Sequence, residues 1–421
     1  MSGAAGWGRS GTAVLVGVFL LSRVVLGWMA VTLAVHPPQV AGDLGSYEPD
    51  ARALLDGRVA YGEVDLEYPP GSLPVIVLPV LATPAVGYRT AFVALSLVLD
   101  AAGFVALLRL GRLEGSRAGA WLWLAGVPLL GPLAVTRLDL LPAVATIWAC
   151  ERIAAGRGSV PGGWLGLGAV AKLYPGLLVL PMLAATRRAN LLWGAAAVAV
   201  LGLLPFLPVA SALTVDVLGY HLDRGVQVES TWATPLLVAG SAGAPVFPSF
   251  SYGAHHMEAA LAPLLKTLAS ASALAALGLG TWLSWRAGRG GGRDSQERAR
   301  VAIEGAFVTM LALLATGSVF STQYVLWVLA LGAAVCCAPA SPLRAPALLL
   351  VPITVLSQAG YPFLYDRLVS MEPLAVGVVG VRNVLVVGAA GWAAWRFARA
   401  APRPARATSA APAPAAAAHQ P

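Results

Sequence analysis

"GTAVLVGVFLLSRVVLGWMAVTLAV", residues 11–35, decides the fold. It carries one charge, Arg23, and is longer than the roughly 20 apolar residues a helix needs to cross a hydrocarbon core. Comparable runs recur along the 421-residue chain, which is 58% hydrophobic and 11% charged, with a mean hydropathy of +0.74. The polar–apolar alternation of a membrane barrel is absent, so the chain reads as an all-α polytopic membrane protein. The opening run is too long for a cleavable signal, and no small-residue cleavage pattern precedes the loop after it.

Basic residues set the orientation. Arg109, Arg112 and Arg117, Arg152 and Arg157, Arg187 and Arg188, Arg286 to Arg300, Arg344, and Arg396 to Arg406 sit in short loops and the tail. By the positive-inside rule these segments are cytoplasmic, so the net charge of +8 reflects topology and not a nucleic-acid partner. Crossings are then expected near 11–35, 88–108, 119–136, 139–154, a pair within 162–186, 191–209, 260–285, 301–317, 324–340, 345–359 and 374–397. That makes about 10–12 transmembrane helices in one domain, 1–400, with both termini cytoplasmic. The segment 73–86 is short and proline-rich and reads as interfacial or re-entrant. Residues 401–421, rich in Pro and Ala, read as a disordered cytoplasmic tail. Cys150, Cys336 and Cys337 lie in or beside apolar runs without metal-ligand spacing and read as packing residues.

The opposite face has a different chemistry. It comprises 36–72, "TRLDLLP" (136–142), the long loop 210–259, "FSTQY" (320–324) and "AGYPFLYDRLVSMEP" (359–373). Fourteen of the 20 acidic residues fall there, seven of them in the first loop: Asp43, Glu48, Asp50, Asp56, Glu63, Asp65 and Glu67. Within that loop "SYEPDARALLDG" reads as a short juxtamembrane helix, with Pro49 in its first turn and Ser46 or Glu48 as cap. Tyr47, Ala51, Leu54 and Leu55 share a face suited to the bilayer surface, with Asp43 just ahead of the helix. "EYPPG" is a stiff extended turn that aims Tyr68 at the interface.

These loops resemble a known family. "DLGSY", "ALLDG" and "EYPP", then "TRLDLLPAV" (136–144), "AKLYPGLLVLP" (171–181), "YHLDRGVQVES" (220–230) and "FSTQYVLWVL" (320–329), occur in an order similar to that of the GT-C class of lipid-dependent membrane glycosyltransferases. Within that class the likeness is to glycosyltransferase family 87, polyprenyl-phosphate-mannose-dependent mannosyltransferases. The resemblance implies a GT-C-like helical bundle and a donor whose sugar rides on a lipid phosphate. An acceptor hydroxyl displaces that phosphate. A phosphate leaves readily as an anion, so the reaction asks for one base and a cationic clamp, not the carboxylate pair of a glycosidase.

By this resemblance Asp43 occupies the catalytic position, as base for the acceptor hydroxyl. The phosphate-binding candidates are Lys172, Arg137 and Arg224. Lys172 lies in an apolar run, where burial costs about 2.5–3.5 kcal/mol on insertion scales; either it faces a cavity with a partner or it snorkels to the interface. For Arg224 beside Asp223, and Arg137 near Asp139, a plain salt bridge competes. Tyr47, Glu67, Tyr68, Asp139, His221, Gln227, Glu229, Gln323 and Tyr324 are candidates for the sugar or acceptor, since a hydroxyl-rich ligand needs many paired donors and acceptors. His255 and His256 are adjacent and point apart, which disfavours a two-histidine metal site; no metal and no cofactor are expected. Asp100, Glu304 and Arg382 lie in apolar runs, structural or functional alike.

The expected function is hexosyl transfer, mannosyl by resemblance, from a polyprenyl-phosphate sugar to an envelope glycolipid or polysaccharide on the extracytoplasmic face. A transporter or flippase of lipid-linked sugars, or a non-catalytic envelope scaffold, are the alternatives. Internal repeats, common in transporters, are not evident.

Overall fold

The apolar runs fold as helices. The computed structural model describes residues 9–32, 42–219, 223–289 and 294–400. Seven helical stretches in it are long and apolar enough to cross a membrane: Gly11–Thr32, Tyr88–Glu114, Ala189–Leu213, Ala262–Gly288, Ser295–Thr316, Arg344–Phe363 and Pro373–Ala400. Shorter apolar helices, among them Ala118–Leu129, Val160–Ala171 and Thr322–Cys336, pack between them. This is a multi-pass membrane protein. The expected tail 401–421, residues 36–41 of the first outer loop and the candidate His221 lie outside the described residues.

Ser295–Thr316 is the hub, buried over most of its length, whereas the apolar stretches of Ala189–Leu213 and Ala262–Gly288 hold few fully buried residues, as lipid-facing helices do. Val160–Ala171 and Ala189–Leu203 meet through small residues. A Cβ at Gly162 would fall on the Leu191 carbonyl oxygen, and one at Gly166 would come within 2.6 Å of the Ala195 carbonyl, so the two backbones touch where a side chain would hold them apart. The three cysteines are buried and free.

Several expected crossings are in pieces, and proline is the reason. The segment 119–136 stops as a helix at Leu129; Gly131 turns left-handed (φ +60°) and a one-turn helix, Leu133–Thr136, follows Pro132. Arg137 then takes an extended backbone, φ −121° and ψ 155°. In 162–186 the helix ends at Ala171, and Lys172 is extended, φ −161° and ψ 122°, before Tyr174–Pro175 opens the next turn. A proline ring clashes with the carbonyl four residues earlier and offers no N–H, so neither helix continues. Irregular backbone among membrane helices is tolerated where protein buries it or it lines a cavity. Both breaks carry a cation.

The first-loop helix departs from expectation. It runs Gly42–Leu55 with Pro49 inside it and Asp43 in its first turn, where the helix dipole favours a carboxylate. Part of its apolar face turns inward, while Leu55 stays exposed. Leu44, Tyr47 and Ala51, spaced three and four apart, pack against Val75, Ile76, Val80, Tyr88, Phe92 and Leu138. Burying two large side chains, at about 1.5–3 kcal/mol each, offsets an interior proline's penalty of about 3 kcal/mol. The partner helix Leu73–Leu81 is nine residues, about 14 Å, less than half of a roughly 30 Å hydrocarbon core.

The all-α expectation also misses one hairpin. Strands β1 (Phe247–Ser251) and β2 (Ala254–Glu258) pair antiparallel around Tyr252–Gly253, both at positive φ, the mark of a tight two-residue turn. The hairpin docks on the loop ahead of it: Val228 N–H donates to the His255 carbonyl at 3.0 Å and Met257 N–H to Val226 at 2.8 Å.

Several buried charges inside the bundle are paired. Arg23 in the first helix clasps Asp100 through Nε at 2.6 Å and a second nitrogen at 3.3 Å. Its remaining nitrogen reaches the Leu124 carbonyl, and the Trp123 indole also donates to Asp100, at 2.7 Å. Asp100 is therefore half of a structural pair. Near the basic loops, Glu114 holds Arg300 at 3.0 Å and Glu151 holds Arg109 at 2.9 Å.

Candidate functional site

The acid-rich loop segments converge on a cavity of about 1000 Å³. That is the upper end of the roughly 300–1,000 Å³ usual for small-molecule sites, room for more than one ligand. The first-loop helix presents Asp43, Tyr47 and Asp50; the extended stretch after it presents Glu67 and Tyr68. Arg137 and Lys172 enter from the two helix breaks, Arg224 from the loop before the hairpin, and Gln323 and Tyr324 from the turn ahead of Val325–Cys336. Distant stretches thus bring Asp43 and the three candidate cations into one space.

Asp43 forms an ion pair with Arg137 and accepts a hydrogen bond from the Tyr47 hydroxyl at 3.2 Å. The Tyr68 hydroxyl is 3.4 Å from that of Tyr47. Burial pushes both phenols well above their ordinary pKa, so they stay protonated and act as donors. Arg137 is nearly buried yet lines the cavity, and it also donates to the Tyr361 hydroxyl at 3.0 Å. The Asp43 side chain keeps 24% of its surface exposed, enough for a ligand to reach it.

Lys172 settles its two sequence readings: it faces the cavity and has a partner. Its ammonium lies 2.8 Å from Asp139 Oδ1, which also accepts from the Trp327 indole at 2.7 Å. Three rings surround it, Tyr68 at 5.3 Å, Tyr324 at 5.0 Å and Trp327 at 5.3 Å, with Tyr324 stacked on Trp327. Rings and carboxylate fix the ammonium by charge–quadrupole and ionic attraction. An ammonium has three donors and Asp139 takes one. Asp139 itself sits behind Lys172, off the cavity wall and almost wholly buried, as its counter-ion.

Other candidates turn inward. The Gln227 amide accepts from Phe320 N–H at 2.8 Å and donates to Ser321 at 3.0 Å and Glu229 at 3.3 Å. Glu229 accepts from Thr322 at 2.9 Å. Burial pushes its carboxyl above the usual range, with Arg382 opposing. Both side chains touch the cavity wall, but their polar atoms are used in joining the 227–230 loop to the 320–322 turn. Arg382, unassigned by sequence, donates to the Glu229 carbonyl at 2.5 Å, and Asn383 donates to the Ser230 carbonyl at 3.1 Å. Together they tie the C-terminal helix to that loop.

Acid dominates the rim. Asp50, Asp65, Glu67, Asp223 and Asp366 join Asp43 and Glu229 along the wall, seven carboxylates against three cations. Partial burial, then Glu67 and Asp65, raise the Asp50 pKa. On the hairpin, burial lowers both His255 and His256. The two rings take opposite faces of β2, and no group of three metal-capable side chains forms among the described residues. Phe250, Tyr252, His255, Tyr365 and Asp366 were not among the sequence candidates; only a tertiary contact reveals them, since hairpin and helix turn are remote in sequence.

A membrane glycosyltransferase is the class these features fit. The chain belongs to glycosyltransferase family 87, whose family model matches residues 66–316. That segment holds Arg137, Lys172 and Arg224; Asp43 and Tyr324 lie on either side of it. Among solved structures the chain is similar to ArnT from Cupriavidus metallidurans bound to undecaprenyl phosphate. The TM-score is 0.45 at 14% identity, covering 94% of this chain and 78% of that one. The apo ArnT structure matches with a TM-score of 0.37 at 16% identity, covering 93% and 78%. No curated protein matches.

Proposed function

We propose that the chain transfers a hexosyl residue, mannosyl by its motif resemblance, from a polyprenyl-phosphate sugar to a hydroxyl of an envelope glycolipid or polysaccharide, on the extracytoplasmic face. The observation that carries this reading is the convergence of Asp43, a carboxylate a ligand can reach, and three cations, Arg137, Lys172 and Arg224, on a single cavity. The basic loops support this side of the membrane. The helix Tyr88–Glu114 starts beside the first-loop helix and ends among Arg109, Arg112 and the Glu114–Arg300 pair, about 40 Å away.

In this mechanism Asp43 accepts the proton of the acceptor hydroxyl as that oxygen attacks the sugar's anomeric carbon. The bond from that carbon to the phosphate oxygen breaks, and its electron pair leaves with the polyprenyl phosphate. Arg137, Lys172 and Arg224, all nearly buried, take up the growing phosphate charge, stabilising the transition state by fixed positive charge. A donor phosphate competes with Asp43 for Arg137, and as that guanidinium turns to the phosphate the carboxylate is released to meet the acceptor hydroxyl.

The test is an in vitro transfer assay with purified protein, radiolabelled polyprenyl-phosphate sugars and an envelope lipid extract. Label should move to an acceptor with the wild type and not with Asp43→Asn, while that variant still binds the donor. Normal turnover by Asp43→Asn would refute the assignment of the base.

A further inference from the structure

The cavity has a second aromatic wall that the transfer chemistry above leaves unused. Phe250 on β1 is 69% exposed and Tyr252 at the turn 40%, and both line the cavity. Their placement is fixed. Phe250 pairs across the hairpin with His255 and meets its ring edge-on at 5.2 Å. His255 Nδ1 is 3.2 Å from the Tyr365 hydroxyl; the Tyr365 ring meets Tyr361 edge-on at 4.8 Å; and Tyr361 accepts from Arg137. A continuous line of contacts therefore runs from the exposed phenyl face to the guanidinium beside Asp43.

An exposed ring set among an imidazole, a phenol and the Asp366 carboxylate is two-sided chemistry. It offers a flat apolar face and, beside it, groups that pair with hydroxyls. A polyprenyl tail needs an unbroken apolar wall and would strip water from those polar groups without repaying them. A sugar ring needs both: C–H groups on one face to pack on an aromatic, hydroxyls at its edge to hydrogen-bond. The excess of carboxylates over cations along the wall disfavours an anionic glycan.

We propose that Phe250, with Tyr252 and His255, forms a subsite for a sugar ring of a neutral glycan, holding the acceptor while its hydroxyl reaches Asp43. This rests on the proposed transfer only for the word acceptor; the subsite itself is a binding claim. Saturation-transfer NMR on the full chain in nanodiscs, with α-1,6-mannotriose and maltotriose as probes, tests it beside a separate titration with undecaprenyl phosphate. The wild type should bind at least one trisaccharide. Phe250→Ala should bind it about tenfold more weakly, and Phe250→Trp should restore binding, with undecaprenyl phosphate affinity within twofold of wild type throughout. No trisaccharide binding by the wild type overturns the proposal, and so does unchanged binding by Phe250→Ala. Equal loss of both ligands overturns it too, because the hairpin then serves the lipid or the fold. Should the wild type fail the transfer assay yet bind the trisaccharide in this pattern, the reaction is misassigned and the subsite stands.

Discussion

Two buried aspartates in this chain are clamped in the same way and put to different uses. Asp100 accepts from Arg23 and from the Trp123 indole; Asp139 accepts from Lys172 and from the Trp327 indole. The difference lies in the cation. Arg23 directs all three guanidinium nitrogens at protein oxygens, deep in the bundle. Lys172 gives Asp139 one donor and stands on a cavity wall. A saturated pair holds two helices together. An unsaturated one is a charge fixed in place with bonding capacity left for a ligand, and in the proposed mechanism that distinction separates fold from function.

The strongest challenge to this contrast falls on the carboxylate in the cavity. Asp43→Asn should lower transfer by about 10²–10⁴-fold, with donor affinity equal to or tighter than wild type because Arg137 loses a competitor; a filter-binding assay with labelled donor reads the second part. Next is Asp100→Ala. It leaves Arg23 buried without its counter-ion, at a cost of about 3–5 kcal/mol in thermal unfolding, while the folded fraction keeps wild-type turnover. Lys172→Met should be similarly destabilising, through the orphaned Asp139, and inactive as well. Adding Asp139→Asn should recover most of the stability and none of the transfer. Turnover by that double variant would erase the difference between the two clamps.

Smaller effects sharpen the picture at the rim. The Asp50 pKa is raised in the folded protein, so its charged form is disfavoured there, and stability falls as pH rises from the ordinary aspartate value, about 3.9, through the raised one. Asp50→Asn should therefore unfold at a higher temperature than wild type at pH 7 and at the same temperature at pH 3. Smallest is Arg52→Ala, which breaks the exposed pair with Glu48 at 2.7 Å; about 0.5 kcal/mol or less is expected in a melting curve, fading in high salt.

The sequence carried the local half of this architecture. Apolar length marked the membrane helices, arginine clusters marked one face, and the acid content of 42–71 pointed to the other. Lys172 stood out because a lone lysine in an apolar run needs a reason. What failed to show were pairings between distant segments. Nothing near Asp100 announces Arg23, 77 residues earlier, and nothing in "FSTQYVLW" says that Tyr324 and Trp327 enclose an ammonium. The first-loop helix starts earlier than its local signals indicate, because Pro49 is a good local start signal while the packing of Leu44 and Tyr47 on a later helix is not local. The hairpin escaped because short strands outside the bundle lack the long periodic signal that helices leave.

Arg137 is tethered by Tyr361, 224 positions downstream, and the Glu229 loop by Arg382 in the final helix. A nascent chain emerging from the ribosome would expose its cations and carboxylates long before these tethers exist. Completion of the cavity would thus come last, when these downstream helices dock.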